Sequence, residues 1–269
     1  MIRAAVPGAA GRMGGQLVRL IAEADDLELA GAVERPGHPA AGRDAGEVAG
    51  VGALGVAIGE DLSACLEEAD VVIDFTSAAA SVAHAEVVAR AGKAIVIGST
   101  GFTAEQRAAV RACGGAARVF QAPNMSVGVN VLLRVVADVA RLLGDAYDVE
   151  IVETHHRFKK DAPSGTALAL AESVAEALGR DLAADGVHGR HGLVGERGAR
   201  EIGIHAVRAG DVVGDHTVIF GGLGERVEVT HKATSRETFA RGALRAARWV
   251  VAQPPGFYTM LDLLGLAPA

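Results

Sequence analysis

The run Ile2-Arg-Ala-Ala-Val6, then Gly8-Ala-Ala-Gly11-Arg-Met-Gly14, then Leu17, Leu20 and Ile21 at helical spacing reads as strand, glycine turn and helix. In such a turn the glycines permit a tight bend, close approach of a pyrophosphate, and close packing of helix on strand. Ala10 stands where the second glycine of the usual pattern falls, so the match is to G-x-x-G-x-x-G. A second apolar strand over 29–33 ends in Glu34, about 20 residues past the last glycine, where a carboxylate can accept both ribose hydroxyls of NAD. Arg35 follows and offers a guanidinium to a 2′-phosphate, so the pair predicts use of NADH or NADPH.

Further along, Val71-Val-Ile-Asp74 leads into Phe75 and Thr76, and Ala94-Ile-Val-Ile leads into Gly98, Ser99 and Thr100. A third run, 118–122, ends in Ala122 before Pro123, Asn124 and Met125. Continuous apolar runs that finish in small polar residues are expected of parallel strands covered on both faces, with ligands at their carboxyl ends. The class predicted is α/β: a Rossmann-type dinucleotide-binding domain over 1–126, completed by 236–269. The strands expected at 149–155, 201–208, 215–220 and 226–232 form a second, α+β domain over 127–235 with an open mixed sheet. A long helix over 127–143 enters that domain, and helices near 236–251 and 260–264 follow it.

Glu153-Thr-His155-His156-Arg-Phe-Lys159-Lys-Asp-Ala-Pro-Ser164-Gly165-Thr166 sets proton donors, fixed cations and a helix start in one short stretch. Neighbouring strand residues point to opposite faces, so His155 and His156 diverge. A carboxylate resting on the helix-start amides of Gly165 and Thr166 would be neutralised from the other side by Lys159 and His156, leaving the remaining histidine as an acid. The whole is a site for an anionic substrate.

These motifs, in order, resemble the dihydrodipicolinate reductases of bacterial diaminopimelate and lysine synthesis: Gly-Arg-Met-Gly, Ile-Asp-Phe-Thr, Gly-Ser-Thr-Gly-Phe, Asn-Met-Ser-Val-Gly-Val-Asn, and above all Glu-x-His-His-x-x-Lys-x-Asp-Ala-Pro-Ser-Gly-Thr-Ala. The resemblance implies NAD(P)H-dependent reduction of 4-hydroxy-tetrahydrodipicolinate, by way of dihydrodipicolinate, to tetrahydrodipicolinate. It implies that His155 is the proton donor or acceptor and Lys159 a proton donor, and that His156, Gly165 and Thr166 bind the substrate carboxylates. The nucleotide would be held by Gly8, Ala9, Ala10, Gly11, Arg12 and Met13 of the turn and by Glu34 and Arg35. Phe75, Thr76, Gly98, Ser99, Thr100 and the segment Ala122, Pro123, Asn124 and Met125 complete that set. It further implies a homotetramer joined through the sheet domain, and a cleft between the domains that closes on both ligands. Ala10 is expected to crowd the pyrophosphate slightly, and Pro123 and Phe158 also depart from the family pattern.

Composition agrees with this picture. The 269 residues carry a net charge of −7 and are half apolar, which disfavours nucleic acid and supplies a core. Cys65 and Cys113 stand apart, as in a reducing compartment without structural zinc, and His188 and His191 lack a third ligand nearby, so no metal is expected. With no signal segment or membrane span visible, the expectation is a cytoplasmic protein. The Gly- and Arg-rich stretch 185–200 is expected to be a mobile loop. Two rivals remain: a nucleotide-sensing regulator, which has no need of His155 and Lys159, and a dehydrogenase of the aspartate-semialdehyde type, which needs an activated cysteine.

Overall fold

The computed structural model describes residues 1–266. The chain forms two compact units, Met1–Ser126 with the chain from Glu237 onward, and Val127–Arg236.

In the first unit, β1 (Ile2–Pro7), β2 (Leu27–Val33), β3 (Ile58–Gly59), β4 (Val71–Asp74), β5 (Ala94–Ile97) and β6 (Arg118–Gln121) form a wholly parallel sheet. The strands alternate with α1 (Arg12–Ala22), α2 (Ala45–Ala49), α3 (Ala78–Arg90) and α4 (Ala104–Cys113). Alternation along each strand sends Ala4, Val6, Val71 and Ile73 to one face, against Leu17 and Ile21 of α1, and Ala5, Val72 and Ile95 to the other, against Ala85 and Val88 of α3. Each fully buried Ile or Leu contributes roughly 2 kcal/mol, so a sheet covered on both faces is a large fraction of the stability. The chain runs outward from β1 in both directions, and the reversal between β1 and β4 is the switch point at which such sheets bind ligands.

The second unit begins with α5 (Val127–Leu143), continues through β7 (Asp148–His155), α6 (Gly165–Ala177), α7 (Leu182–Asp185), β8 (Gly186–His188) and β9 (Ile202–Arg208), and ends with β10 (Gly214–Gly221) and β11 (Arg226–Ala233). Its sheet is mixed, in the order β11-β10-β7-β9-β8, with β7 at the centre. One face carries Val149, Ile151, Ile204, Val218 and Phe220 beneath Leu132 and Val136 of α5 and Leu170 and Val174 of α6. Toward the end of β7 the same face turns polar. The chain then returns to the first unit through α8 (Glu237–Val250), and β12 (Gly256–Tyr258) adds a parallel edge strand beside β6 before α9 (Met260–Leu263).

The stretch expected to be a mobile loop is tied to the sheet at two points, with Leu193 and Val194 exposed between them. It opens with β8, and two of its three arginines return to the sheet: Arg190 donates to Glu150 at 2.8 and 3.0 Å, and Arg197 to Asp148 at 2.7 Å and Glu150 at 3.0 Å. The partners lie on β7, some 40 residues upstream, where local composition gives no hint of them. No helix among the described residues is long and apolar enough to cross a membrane.

Candidate active site

In the first unit the glycines act as their positions require. Gly8 has φ +71°, in the left-handed region. A Cβ on Gly14 would stand 2.0 Å from the Gly8 carbonyl oxygen, so α1 sits this close to the turn only with glycine there. Gly11 caps α1 without a side-chain hydrogen bond, leaving the cap to backbone amides of the kind that hold phosphate. Glu34 bends back to the turn, accepting from Ala10 N at 3.0 Å, so Ala10 takes part in fixing the carboxylate.

A cavity of about 680 Å3 is lined by Gly8, Gly11, Glu34, Arg35, Phe75 and Thr76, all anticipated from the sequence. A second, of about 280 Å3, brings together Met13, Phe75, Gly98, Pro123, Asn124 and Met125. Phe75 lines both, and its ring leaves no room for a Cβ at Gly98, which would come within 2.3 Å of it. The other expected contacts separate: Ala9 and Ala122 are buried in the core, Arg12 and Thr100 are exposed, and the Ser99 hydroxyl is buried against Ser81 at 2.7 Å. His84 also lines the larger cavity and was not anticipated; its Nδ1 lies 2.8 Å from the buried Asp74 carboxylate, which accepts as well from Thr76 Oγ1 at 2.6 Å. It lies on α3, away from the strand ends at which nucleotide contacts are expected.

In the second unit the centre is Glu153, a carboxylate with no exposed side-chain surface. It lies 2.5 Å from His155 Nδ1 and accepts from both terminal nitrogens of Arg208 at 2.8 and 2.9 Å and from Ser164 N at 3.1 Å. Burial alone would raise its pKa, but the hydrogen bonds from Arg208 and His155 prevail and hold it below the ordinary carboxylate value. Ser164 caps α6 through its hydroxyl, which accepts from Ala167 N at 3.1 Å and lies 2.9 Å from His216 Nε2. The imidazoles of His155 and His216 meet edge to face at 5.2 Å. Burial, seconded by the neighbouring His155, lowers His216 to about 4, so it is neutral.

His155 and His156 diverge as strand geometry requires. His156 lies just beyond β7, with Nε2 3.3 Å from an Arg236 nitrogen. Lys159 Nζ is paired with the Asp161 carboxylate at 2.8 and 3.0 Å rather than held free. Gly165 opens α6 on an exposed surface where a Cβ would meet nothing within 4 Å, so a ligand can approach its backbone, and Thr166 follows it. Thus His155, Gly165 and Thr166 gather around the Glu153 and Ser164 hub. Sequence reasoning missed the roles of Glu153, Arg208 and His216.

Among the described residues no three His, Cys, Asp or Glu side chains converge as a metal ion would need. Both thiols are pushed up: Cys65 by burial and then Asp61, Cys113 by burial and then Glu86. That is the reverse of an activated nucleophile.

Two family models cover nearly the whole chain. "Dihydrodipicolinate reductase, N-terminus" matches residues 2–125 and "Dihydrodipicolinate reductase, C-terminus" matches residues 128–264. The chain belongs to the dihydrodipicolinate reductase family. A 4-hydroxy-tetrahydrodipicolinate reductase from Anaeromyxobacter sp. (strain Fw109-5) is 59% identical over 269 residues, covering all of both chains. One from Citrifermentans bemidjiense is 56% identical over 266 residues, 99% of this chain and 100% of the relative. Among solved structures, the dipicolinate-bound dihydrodipicolinate reductase from Paenisporosarcina sp. TG-14 superposes with a TM-score of 0.76 at 28% identity, over 97% of this chain and 98% of that one. An amine dehydrogenase from Mycobacterium smegmatis, TM-score 0.60 at 15% identity over 96% of this chain and 95% of that one, shares the fold alone. The fold expected from the sequence, a Rossmann-type sheet followed by a mixed-sheet unit, is the one observed.

Proposed function

We propose that His155, Lys159 and the start of α6 carry the reaction of this reductase family in the present chain. The chain is an NAD(P)H-dependent oxidoreductase of diaminopimelate and lysine synthesis that reduces 4-hydroxy-tetrahydrodipicolinate, through dihydrodipicolinate, to tetrahydrodipicolinate. The observation that carries the site assignment is the buried Glu153 carboxylate, which joins the His155 imidazole to the capped N-terminus of α6.

The glycine turn, Glu34 and Arg35 fit a dinucleotide: the turn admits a pyrophosphate, and the carboxylate and guanidinium line the adjoining cavity of about 680 Å3. When bound, NAD(P)H supplies a hydride to the substrate ring. The chain's own residues do the rest. Backbone amides at Gly165 and Thr166, with His156, hold the substrate carboxylates. Lys159, released from Asp161, stabilises the negative charge that develops on the ring nitrogen and carboxylate. His155 Nε2 or Lys159 Nζ gives the proton that balances the hydride.

Glu34 serves NADH and Arg35 serves NADPH, so either nucleotide is used. The homotetramer forms through the face of the second sheet opposite α5 and α6, where Val152, Thr154, Thr217 and Ile219 are half-buried and Val207 is exposed. A cytoplasmic location suits a reduced-nucleotide enzyme with two free thiols. The test is loss of NAD(P)H absorbance with freshly generated 4-hydroxy-tetrahydrodipicolinate. Oxidation of both nucleotides, dependent on the dicarboxylate, is expected; no dicarboxylate-dependent oxidation of either would contradict the reading.

A further inference from the structure

We propose that Glu153 is a positioning residue for proton transfer: it fixes the tautomer and orientation of His155 and, through the same carboxylate, the start of α6. This rests on the reading of His155 as the proton-transferring group.

The placement follows from sheet geometry. Residues two apart on a strand share a face, so Glu153 and His155 of β7 are neighbours on the polar end of the covered face. Register sets His216 of β10 opposite Glu153, and Arg208 of β9 opposite His155. One oxygen of Glu153 accepts from His155 Nδ1 and one Arg208 nitrogen, and the other accepts from Ser164 N and the second Arg208 nitrogen. Arg208 is itself tied to the Val207 and Asp161 carbonyls, so the fork is held before it meets the carboxylate.

Arg208 at both oxygens and Ser164 N at one can only donate, and the guanidinium fork holds the carboxyl in its ionised form. An ionised carboxylate only accepts, and His155 Nδ1 must therefore carry hydrogen. The atom left to exchange a proton is Nε2. It lies over Gly214, where a Cβ would come within 3.0 Å, so the strand beneath is hollowed to admit the ring. When Nε2 takes a proton, the imidazolium faces a fixed negative charge; when it gives the proton up, Nδ1 keeps its own. The adjacent His216, being neutral, adds no competing charge.

Glu153→Gln keeps the shape and removes one acceptor. Its amide N–H must point at Arg208 and at either His155 or Ser164. The way to relieve the His155 contact is to move the imidazole proton from Nδ1 to Nε2, which blocks the exchanging atom.

The experiment is 15N NMR of histidine-labelled full-length enzyme with parallel kinetics, His155 being assigned by its loss in H155Q. At a pH where the ring is neutral, the wild type is expected to carry the His155 proton on Nδ1 and E153Q on Nε2. In E153Q kcat is expected to fall about 100-fold, while KM for NAD(P)H stays within about twofold. A loss confined to folding would instead leave the tautomer and kcat of the folded fraction unchanged. If H155Q is inactive but E153Q retains both turnover and the Nδ1 proton, the positioning role is overturned and the proposed function stands. If H155Q itself turns over at the wild-type rate, the reading of His155 fails, whatever E153Q does. Should E153Q not fold, the wild-type spectrum still decides, since a neutral His155 protonated on Nε2 is incompatible with an accepting carboxylate at Nδ1.

Discussion

His216 sets a pH limit on the fold. Unfolded, its imidazole takes a proton at the ordinary 6.5; folded, burial and the nearby His155 delay this to about 4. The folded state therefore binds fewer protons between these values. Its contribution, about 3 kcal/mol, is complete above pH 6.5 and drains away as pH falls toward 4. Glu150 acts lower: burial opposes ionisation, but hydrogen bonds from Arg190, His205 and Arg197 hold it at about 2, so its contribution is present above 4.5 and is lost as pH falls toward 2. The urea midpoint is expected to drop from pH 6.5 to pH 4.5 in the wild type and to drop less in H216Q. Equal slopes in the two proteins would show that His216 is not the group held neutral.

These residues also mark where sequence reasoning stopped. His155, His156 and Lys159 stand out because they are adjacent in the chain. Arg208 lies 55 residues from Glu153, and His216 lies 52 from Ser164, so strand pairing alone brings them together. Glu153 had a usable signal, since period two places it on the same face as His155.

The start of α6 ties local structure to the site. Ser164 Oγ satisfies Ala167 N, one of the amides that a helix start leaves without an internal partner, and also meets His216. Ser164→Ala is expected to cost about 1 kcal/mol in chemical denaturation and to weaken binding of pyridine-2,6-dicarboxylate, measured by calorimetry. Unchanged stability together with unchanged dicarboxylate affinity would remove the cap from both roles. Elements of this kind were readable from residues: Ser-Gly-Thr before an apolar periodic run marks the start of α6, and α5 spans the residues expected of it. β3 and β12 were missed because two or three residues are too few to show a period, and each exists only by pairing with a longer strand. Ion pairs to β7 that local composition does not announce anchor the stretch after β8 at Arg190 and Arg197.

Across the molecule, hydrophobic pattern was sufficient to distinguish the two sheets. Continuous apolar runs mark β4 and β5, buried throughout, whereas β7 and β10 alternate because helices cover only one face of their sheet. Charge pairing was not readable in the same way, and Lys159 shows the consequence: a residue expected to meet substrate directly is engaged by Asp161. Turnover of H155Q and K159M, set beside their affinity for NAD(P)H, tests the assigned chemistry most directly. Each variant is expected to lose about 100-fold or more in kcat, with nucleotide affinity within about twofold of wild type. Near-wild-type kcat in both would contradict the assignment of proton transfer to these two side chains.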